Sequence, residues 1–338
     1  MRAVVVTEYA HPSKIPLTLN APAPKAGGNE VLVDVYSAGL NFYDILQCQG
    51  KYQYQPPFPF VLGTEFAGRI AADSPIPKGC PYKPGDRVFG GVSNGAYAEK
   101  VAVKWADVLP LPANMTFDQG AGLFVTWPTS YEALVGRAEL KSGEWVLVTA
   151  SAGGVGIAAV QLAKALGAKV IAAAGSPAKI DVSVKYGGAD HAVDYSKPNW
   201  QQEVLKITGG RGVDVVYDPV GLIRDSLKCI AWKGRAIVVG FAGGKIESLP
   251  LNLVLLKNIS IVGIHWGAYT TKEPAHKPAV YGALLDLLST GRVKPVVYGD
   301  IYPLERIADG LAALEQRKTW GKVVTRIRNE EAAEKAKL

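Results

Sequence analysis

Through the middle of the chain, apolar residues come in short blocks separated by stretches of helical period. The run Trp145 to Thr149 is long enough for one buried strand. A turn of small residues follows, Ala150-Ser151-Ala152-Gly153-Gly154-Val155-Gly156. Beyond it Val155, Ala159, Leu162, Ala163 and Leu166 recur at helical spacing as far as Gly167, a glycine stop. Val170 to Ala174 supplies the next strand. The pattern predicts a strand–helix–strand unit with a glycine turn at the start of its helix. It continues with strands at 145–149, 169–173, 191–193, 213–217, 235–239 and 259–263, and helices near 178–187, 200–208 and 222–231. Such alternation predicts an α/β fold with a parallel, doubly wound sheet.

The first 125 residues read differently. Short β-rich runs (Ala3–Thr7, Val31–Ser37, Phe66–Ala71, Arg87–Phe89 and Tyr97–Val103) alternate with turns rich in Pro and Gly, as in a small barrel or sandwich. From 268 a helix, Ala279 to Ser289, and another, Leu304 to Gln316, precede a last strand, Lys322 to Ile327. The expected division is therefore 126–267 for the doubly wound domain, with 1–125 and 268–338 forming a β-rich domain from both chain ends.

The glycine turn is where chemistry enters. At a helix start the free N–H groups and the positive dipole end face outward, and glycine lets the backbone approach a pyrophosphate. Ser151 stands at the first glycine position of G-x-G-x-x-G, so the match is incomplete. Ala152, Gly153, Gly154, Val155 and Gly156 are the expected phosphate contacts. The second strand ends Ala172-Ala173-Ala174-Gly175-Ser176 without the acid that holds the ribose hydroxyls of NAD, and Lys179 follows. A hydroxyl and an ammonium there suit a 2′-phosphate, hence NADPH. Ser176 as the cap of the next helix is compatible with that role.

Composition narrows the class. The chain has 338 residues, 48% hydrophobic and 20% charged, as ordinary globular proteins do. No apolar stretch reaches membrane-spanning length and the N-terminus lacks a signal-peptide pattern. Cys48, Cys80 and Cys229 are too scattered for a disulfide framework or a CxxC metal site, which points to a reducing compartment. The net charge of +7 comes without a basic run interleaved with aromatics, so no nucleic-acid motif is present.

AGLNFYDILQCQGKYQ, PFVLGTEFAG, KPGDRVFG, GAYAEK and ASAGGVG, in this order, resemble the medium-chain dehydrogenase/reductase superfamily. VDVVYDPVG, GFAGG and GIHWGAY are similar to its zinc-free quinone oxidoreductases related to zeta-crystallin, in the quinone oxidoreductase-like branch. The resemblance implies a Rossmann domain beside a GroES-like barrel domain, NADPH as cofactor, a quinone or activated enone as substrate, and a homodimer paired near 257–267. Zinc alcohol dehydrogenases of the superfamily carry a cysteine in the strand-end loop and a histidine in a G-H-E motif. This chain has Ser37-Ala38-Gly39 and Gly63-Thr64-Glu65, and only Cys80 in the segment of the structural zinc. A zinc site needs three or four ligands, so no metal is expected. Quinones and enones accept hydride without one, because the incoming charge spreads onto the carbonyl oxygen.

By the same resemblance Asn41 and Tyr52 line the substrate cleft as hydrogen-bond donors. Asn41 also meets the cofactor, and Tyr52 lies in the G-x-Y that supplies a proton in enoyl-thioester reductases. Asn41 as a turn former and Tyr52 as a loop anchor are the plainer alternatives. Tyr195 is expected beside Ser176 and Lys179. Gly240, Phe241, Ile264, His265 and Trp266, in loops at strand ends, are expected near the nicotinamide together with Thr126, and Lys322 near the cofactor phosphate. Asp218 is read as ordering a turn.

Two rival functions remain open at this point. One is a 2-enoyl thioester reductase with Tyr52 as proton donor; the other is an NADPH-binding, RNA-binding or crystallin-like structural protein. The chain ends Ala336-Lys337-Leu338, a near relative of the S-K-L peroxisomal address, so cytoplasmic and peroxisomal locations are both expected.

Overall fold

The structure is a computed structural model that describes residues 1–330. The tripeptide Ala336-Lys337-Leu338 lies outside the described residues. The chain divides into two units, one beginning with Met1–Val125 and resumed from Val297, the other Thr126–Val296.

The first unit is built on the ten-residue strand Glu30–Gly39. Its alternating valines, Val31, Val33 and Val35, are fully buried in the unit's core with Phe66, Val88 and Val101. One edge of this strand pairs with Glu65–Ile70. The other pairs with Lys100–Lys104 along its first half and with Val324–Arg326 along its second. Arg87–Gly91, Val108–Pro110 and Tyr302–Pro303 complete a seven-stranded sheet, and a three-stranded sheet contains Ala3–Val6. Because Val324 lies opposite Gly39, the C-terminal part of the chain delivers Lys322 to the end of the long strand. The strand opens directly into the helix Phe42–Cys48.

The second unit contains six parallel strands in the spatial order His191–Asp194, Lys169–Ala174, Trp145–Val148, Val213–Asp218, Ile230–Val238 and Ser260–Gly263. This is the doubly wound arrangement read from the sequence. The strand Val213–Asp218 is buried at every position, as a central parallel strand must be. Helix Gly154–Ala165 packs small faces, Ala158, Ala159 and Ala163, against this sheet with no exposed surface. The switch in strand order falls between Lys169–Ala174 and Val213–Asp218, on either side of Trp145–Val148.

The second unit runs to Val296, so the segment from 268 that was expected with the first unit belongs here. The helix Lys277–Ser289 packs on the helix Thr126–Glu132. Gln161 then clasps the backbone of Lys294, its Nε2 donating to Lys294 O at 2.8 Å and its Oε1 accepting from Lys294 N at 2.7 Å. At the far edge of the sheet, Ser260–Gly263 pairs on one side alone, with Ile230–Val238. Before it stands the helix Leu251–Lys257, which buries none of its residues; Leu251 and Leu255 are 78% and 77% exposed.

Candidate active site

The glycine turn has the geometry of an anion cradle. Gly153 is the N-cap of the twelve-residue helix Gly154–Ala165, whose first turn carries no acidic side chain. The N–H groups of that turn have no intrahelical acceptors. Ala150 adopts a left-handed φ of 44°, and Gly153 N donates to Ala150 O at 2.9 Å. A Cβ on Gly156 would lie 2.3 Å from Ala150 O, so only glycine lets the helix sit this close to the turn. Ser151 explains itself here. Its buried hydroxyl donates to Ala173 O at 3.1 Å and meets Ser183 Oγ at 2.8 Å, pinning the turn to the second strand and the following helix. Ala152 is buried beside it.

Ser176 and Tyr195 come to one end of the sheet. Ala174 and Asp194 are in register at the ends of the second and third strands, and Tyr195 N donates to Ala174 O at 3.1 Å. The Tyr195 ring covers Gly175, where a Cβ would be 3.0 Å from Cε2. Ser176 is the N-cap of Pro177–Lys185 in extended backbone, and Lys179 sits in that helix's first turn. Asp194, the one acid at this end of those two strands, accepts from Ser196 N and Ser196 Oγ and so closes its own turn.

The loops after the fourth and fifth strands are laced together. Val239 N donates to Asp218 O at 2.9 Å, and Ala242 N and Gly243 N to Pro219 O and Val220 O at 3.0 Å each. Asp218 accepts from Thr149 Oγ1, Val220 N, Gly221 N and Leu222 N, which is the turn-ordering role read for it. Gly240 and Phe241 lie on this laced segment, with Phe241 exposed. Ile264 is buried and His265 is exposed. Trp266 is buried. Its ring stacks on Tyr269 at 5.0 Å and meets the edge of Tyr281 at 5.9 Å, so it packs the unit's own aromatic cluster. Thr126 is buried at the start of its helix. Sequence reasoning missed Ser130, whose hydroxyl bridges Thr126 O, Val155 O and Tyr217 OH at 2.9 Å each. No local motif signals it.

In the first unit the structure assembles a buried polar cluster. Lys322 Nζ lies 2.5 Å from Glu65 Oε1 and donates to Asn41 Oδ1 at 2.7 Å. Asn41 Nδ2 donates to Glu65 Oε1 at 3.0 Å, and Glu65 Oε2 accepts from Val125 N at 2.9 Å. Gly39 must be glycine, because a Cβ there would be 2.7 Å from Lys322 Cε and 2.8 Å from Glu65 Oε1. Lys322, expected near the cofactor phosphate, here neutralises Glu65, and Asn41, expected as a donor in the substrate cleft, bridges that pair. Glu65 belongs to the motif Gly63-Thr64-Glu65, but its partner comes from the other end of the chain.

Asp44 and the tyrosines form the neighbouring layer. Asp44 Oδ2 accepts from Asn41 N at 2.8 Å and from Tyr97 OH at 2.6 Å. Burial pushes the Asp44 carboxyl up to about 7, against the lowering effects of the Tyr97 and Asn41 hydrogen bonds and the Lys322 charge. Burial also raises Tyr97 and Tyr43, with the Asp44 charge adding to both. The Tyr52 ring lies 5.1 Å from that of Tyr43; its hydroxyl is raised by burial and by the Asp44 charge.

Among the described residues, no group of three or more His, Cys, Asp or Glu side chains is placed to hold a metal ion. Ser37 donates to Asp118, which is paired with Arg326, and Thr64 Oγ1 is buried.

The family described as alcohol dehydrogenase GroES-like domain matches residues 27–113, and the family described as zinc-binding dehydrogenase matches residues 154–286. The zinc of the latter description has no fitting donor set among the described residues. The chain is 40% identical to mouse quinone oxidoreductase-like protein 2 over 96% of its length and 91% of that protein's. It is 33% identical to human quinone oxidoreductase, over 91% of this chain and 92% of the relative. The solved structure of Escherichia coli quinone oxidoreductase complexed with NADPH superposes with a TM-score of 0.85 at 30% identity, covering 97% of this chain and all of that one.

Proposed function

The chain belongs to the quinone oxidoreductases of the medium-chain dehydrogenase/reductase superfamily, and on that premise we propose that it uses NADPH to reduce quinones or related activated enones without a metal. The observation that carries the reading is the glycine turn at the switch in strand order, the place where open α/β sheets bind dinucleotides.

When bound, the reduced nicotinamide supplies the hydride. The residues of the chain do the rest. The first-turn N–H groups of Gly154–Ala165 hold the pyrophosphate, with Gly156 keeping the helix dipole close. Ser176, Lys179 and Tyr195 receive the 2′-phosphate. Gly240, Phe241, Ile264, His265 and Thr126 would line the nicotinamide site. Tyr52 donates to the acceptor oxygen on which charge develops. Asn41 and Lys322 hold the loop after Gly39 through Glu65.

A homodimer forms through the open edge of the sheet. The one-sided pairing of Ser260–Gly263 and the exposure of Leu251, Leu255 and Leu256 support this interface.

Lys179→Ala tests the cofactor assignment. Loss of one charge-assisted phosphate contact should weaken NADPH roughly tenfold or more in fluorescence titration and leave NADH within about twofold. Equal loss for both cofactors would remove Lys179 from the phosphate site.

A further inference from the structure

We propose that Asp44 takes up a proton as pH falls through the neutral range and, while uncharged, lets Tyr52 release its own proton to the reduced acceptor; ionisation of Asp44 opposes that release. Asp44 is thus a positioning residue that acts through Tyr52, and the proposal rests on the donor role given to Tyr52 above.

The Asp44 carboxylate holds an acceptor that lacks a donor. Asp44 is fully buried, and Asn41 N and Tyr97 OH both donate to its Oδ2. Oδ1 is buried with no hydrogen bond. Gln47 Oε1, three residues on along the same helix, is likewise buried with no hydrogen bond. Two orphaned acceptors on one helical face are costly as they stand. A proton on Oδ1 converts one of them into a donor.

No cation offers the alternative remedy. The groups facing Asp44 are Tyr43 and Cys48 on its own helix, Tyr52 after it, Glu65 and Tyr97 from the sheet side, and Lys322 from the C-terminal segment. Glu315, on the helix Ile307–Glu315, adds a further negative charge near Cys48. Lys322, the one cation among these groups, is held by Glu65 at 2.5 Å. Burial accordingly dominates, and the carboxyl moves up to about 7.

Tyr52 senses the outcome. Its hydroxyl is raised partly by the charge of ionised Asp44. A negative charge nearby disfavours the phenolate that must form when Tyr52 gives up its proton, and a neutral carboxyl removes that opposition. In the step itself, hydride transfer would leave an anionic acceptor before Tyr52. The Tyr52 O–H bond breaks, its electron pair stays on the phenolate, and the acceptor gains the proton. Solvent water restores the proton to Tyr52, and Asp44 finishes as it began.

Asp44→Asn, permanently uncharged and nearly isosteric, tests this. In the native protein kcat should fall as pH rises through about 7, approaching tenfold per pH unit while proton release limits the rate, and the Asn variant should stay within about twofold over the same range. A falling limb unchanged in the variant would overturn the proposal. Two readouts need neither cofactor nor acceptor. Infrared spectra of the native protein should show a protonated-carboxyl band that disappears as pH rises and is missing from Asp44→Asn. Phenolate absorbance, corrected with Tyr52→Phe, should place the Tyr52 pKa lower in Asp44→Asn than in the native protein. Absence of that band, or an unmoved Tyr52, would sink the idea even if another acceptor proved to be the substrate. If Asp44→Asn does not fold, Tyr97→Phe serves instead. It removes a hydrogen bond that holds the Asp44 pKa down, so the infrared transition should move to higher pH; movement to lower pH would contradict the assignment.

Discussion

Replacing Lys322 by Met isolates the charge at the heart of the first unit. The lysine stem packs where Gly39 and Gly122 leave room, with a Cβ on Gly122 only 2.6 Å from Lys322 Cγ, and Met retains a stem of similar reach. What disappears is the ammonium 2.5 Å from Glu65 Oε1 and 2.7 Å from Asn41 Oδ1. Glu65 is fully buried and keeps Val125 N and Asn41 Nδ2 as donors. Removing one partner of a buried ion pair costs about 3–5 kcal/mol, because the remaining charge is left uncompensated. The two surviving hydrogen bonds place this case near the lower end. For a unit of this size, each kcal/mol lowers Tm by about 2–4 °C, so a loss of about 6–12 °C is expected. The assay is thermal and urea unfolding of Lys322→Met, of Glu65→Gln and of the double variant. The double variant should recover at least about half of the loss, since no lone charge stays buried. A Lys322→Met protein within about 1 kcal/mol of the native one would refute the reasoning, because the pair would then contribute no more than a surface salt bridge.

Three further outcomes follow from the geometry. Gly156→Ala should destabilise the second unit by about 1–3 kcal/mol and abolish NADPH binding, because its Cβ meets Ala150 O at 2.3 Å; Gly153→Ala, with 3.3 Å to the same oxygen, should be milder in both calorimetry and titration. Leu255→Asp with Leu256→Asp should halve the mass in light scattering without lowering solubility; an unchanged mass would move the interface elsewhere. The folded Asp44 carboxyl lies at about 7 against an ordinary 3.8, so its contribution to stability is complete below about 4 and is lost as pH rises towards about 7. That slope, at most about 4 kcal/mol in all, should be missing from denaturation curves of Asp44→Asn.

The doubly wound sheet was legible because parallel strands buried on both faces leave continuous apolar runs. Val170–Ala174 and Val213–Tyr217 could hardly be anything else. The glycine turn was legible because helix packing and phosphate approach make local demands on residue type. The return of the chain at 297 was not. A helix such as Lys277–Ser289 advertises that it has an apolar face, but its partner, Thr126–Glu132, lies far off in sequence. The same limit hid the Glu65–Lys322 pair, since a lysine near the C-terminus carries no sign of the glutamate it will meet. Ser151 was read as a defect in a motif and is a buried hydroxyl with two partners. Trp266 was read from its place in a loop, but the ring follows the aromatic neighbours it finds in the fold. Chemistry that depends on one loop could be read along the chain; chemistry assembled by strand pairing could not.

The central claim is hydride transfer from NADPH to a quinone or enone with no metal. Its most direct test is NADPH oxidation by the purified protein with 1,4-benzoquinone, 9,10-phenanthrenequinone and a trans-2-enoyl-CoA in parallel, each with and without EDTA. Quinone turnover that exceeds enoyl-CoA turnover and is unaffected by the chelator is the expected result. Activity abolished by EDTA and restored by zinc, or NADPH bound with no acceptor reduced, would contradict the account.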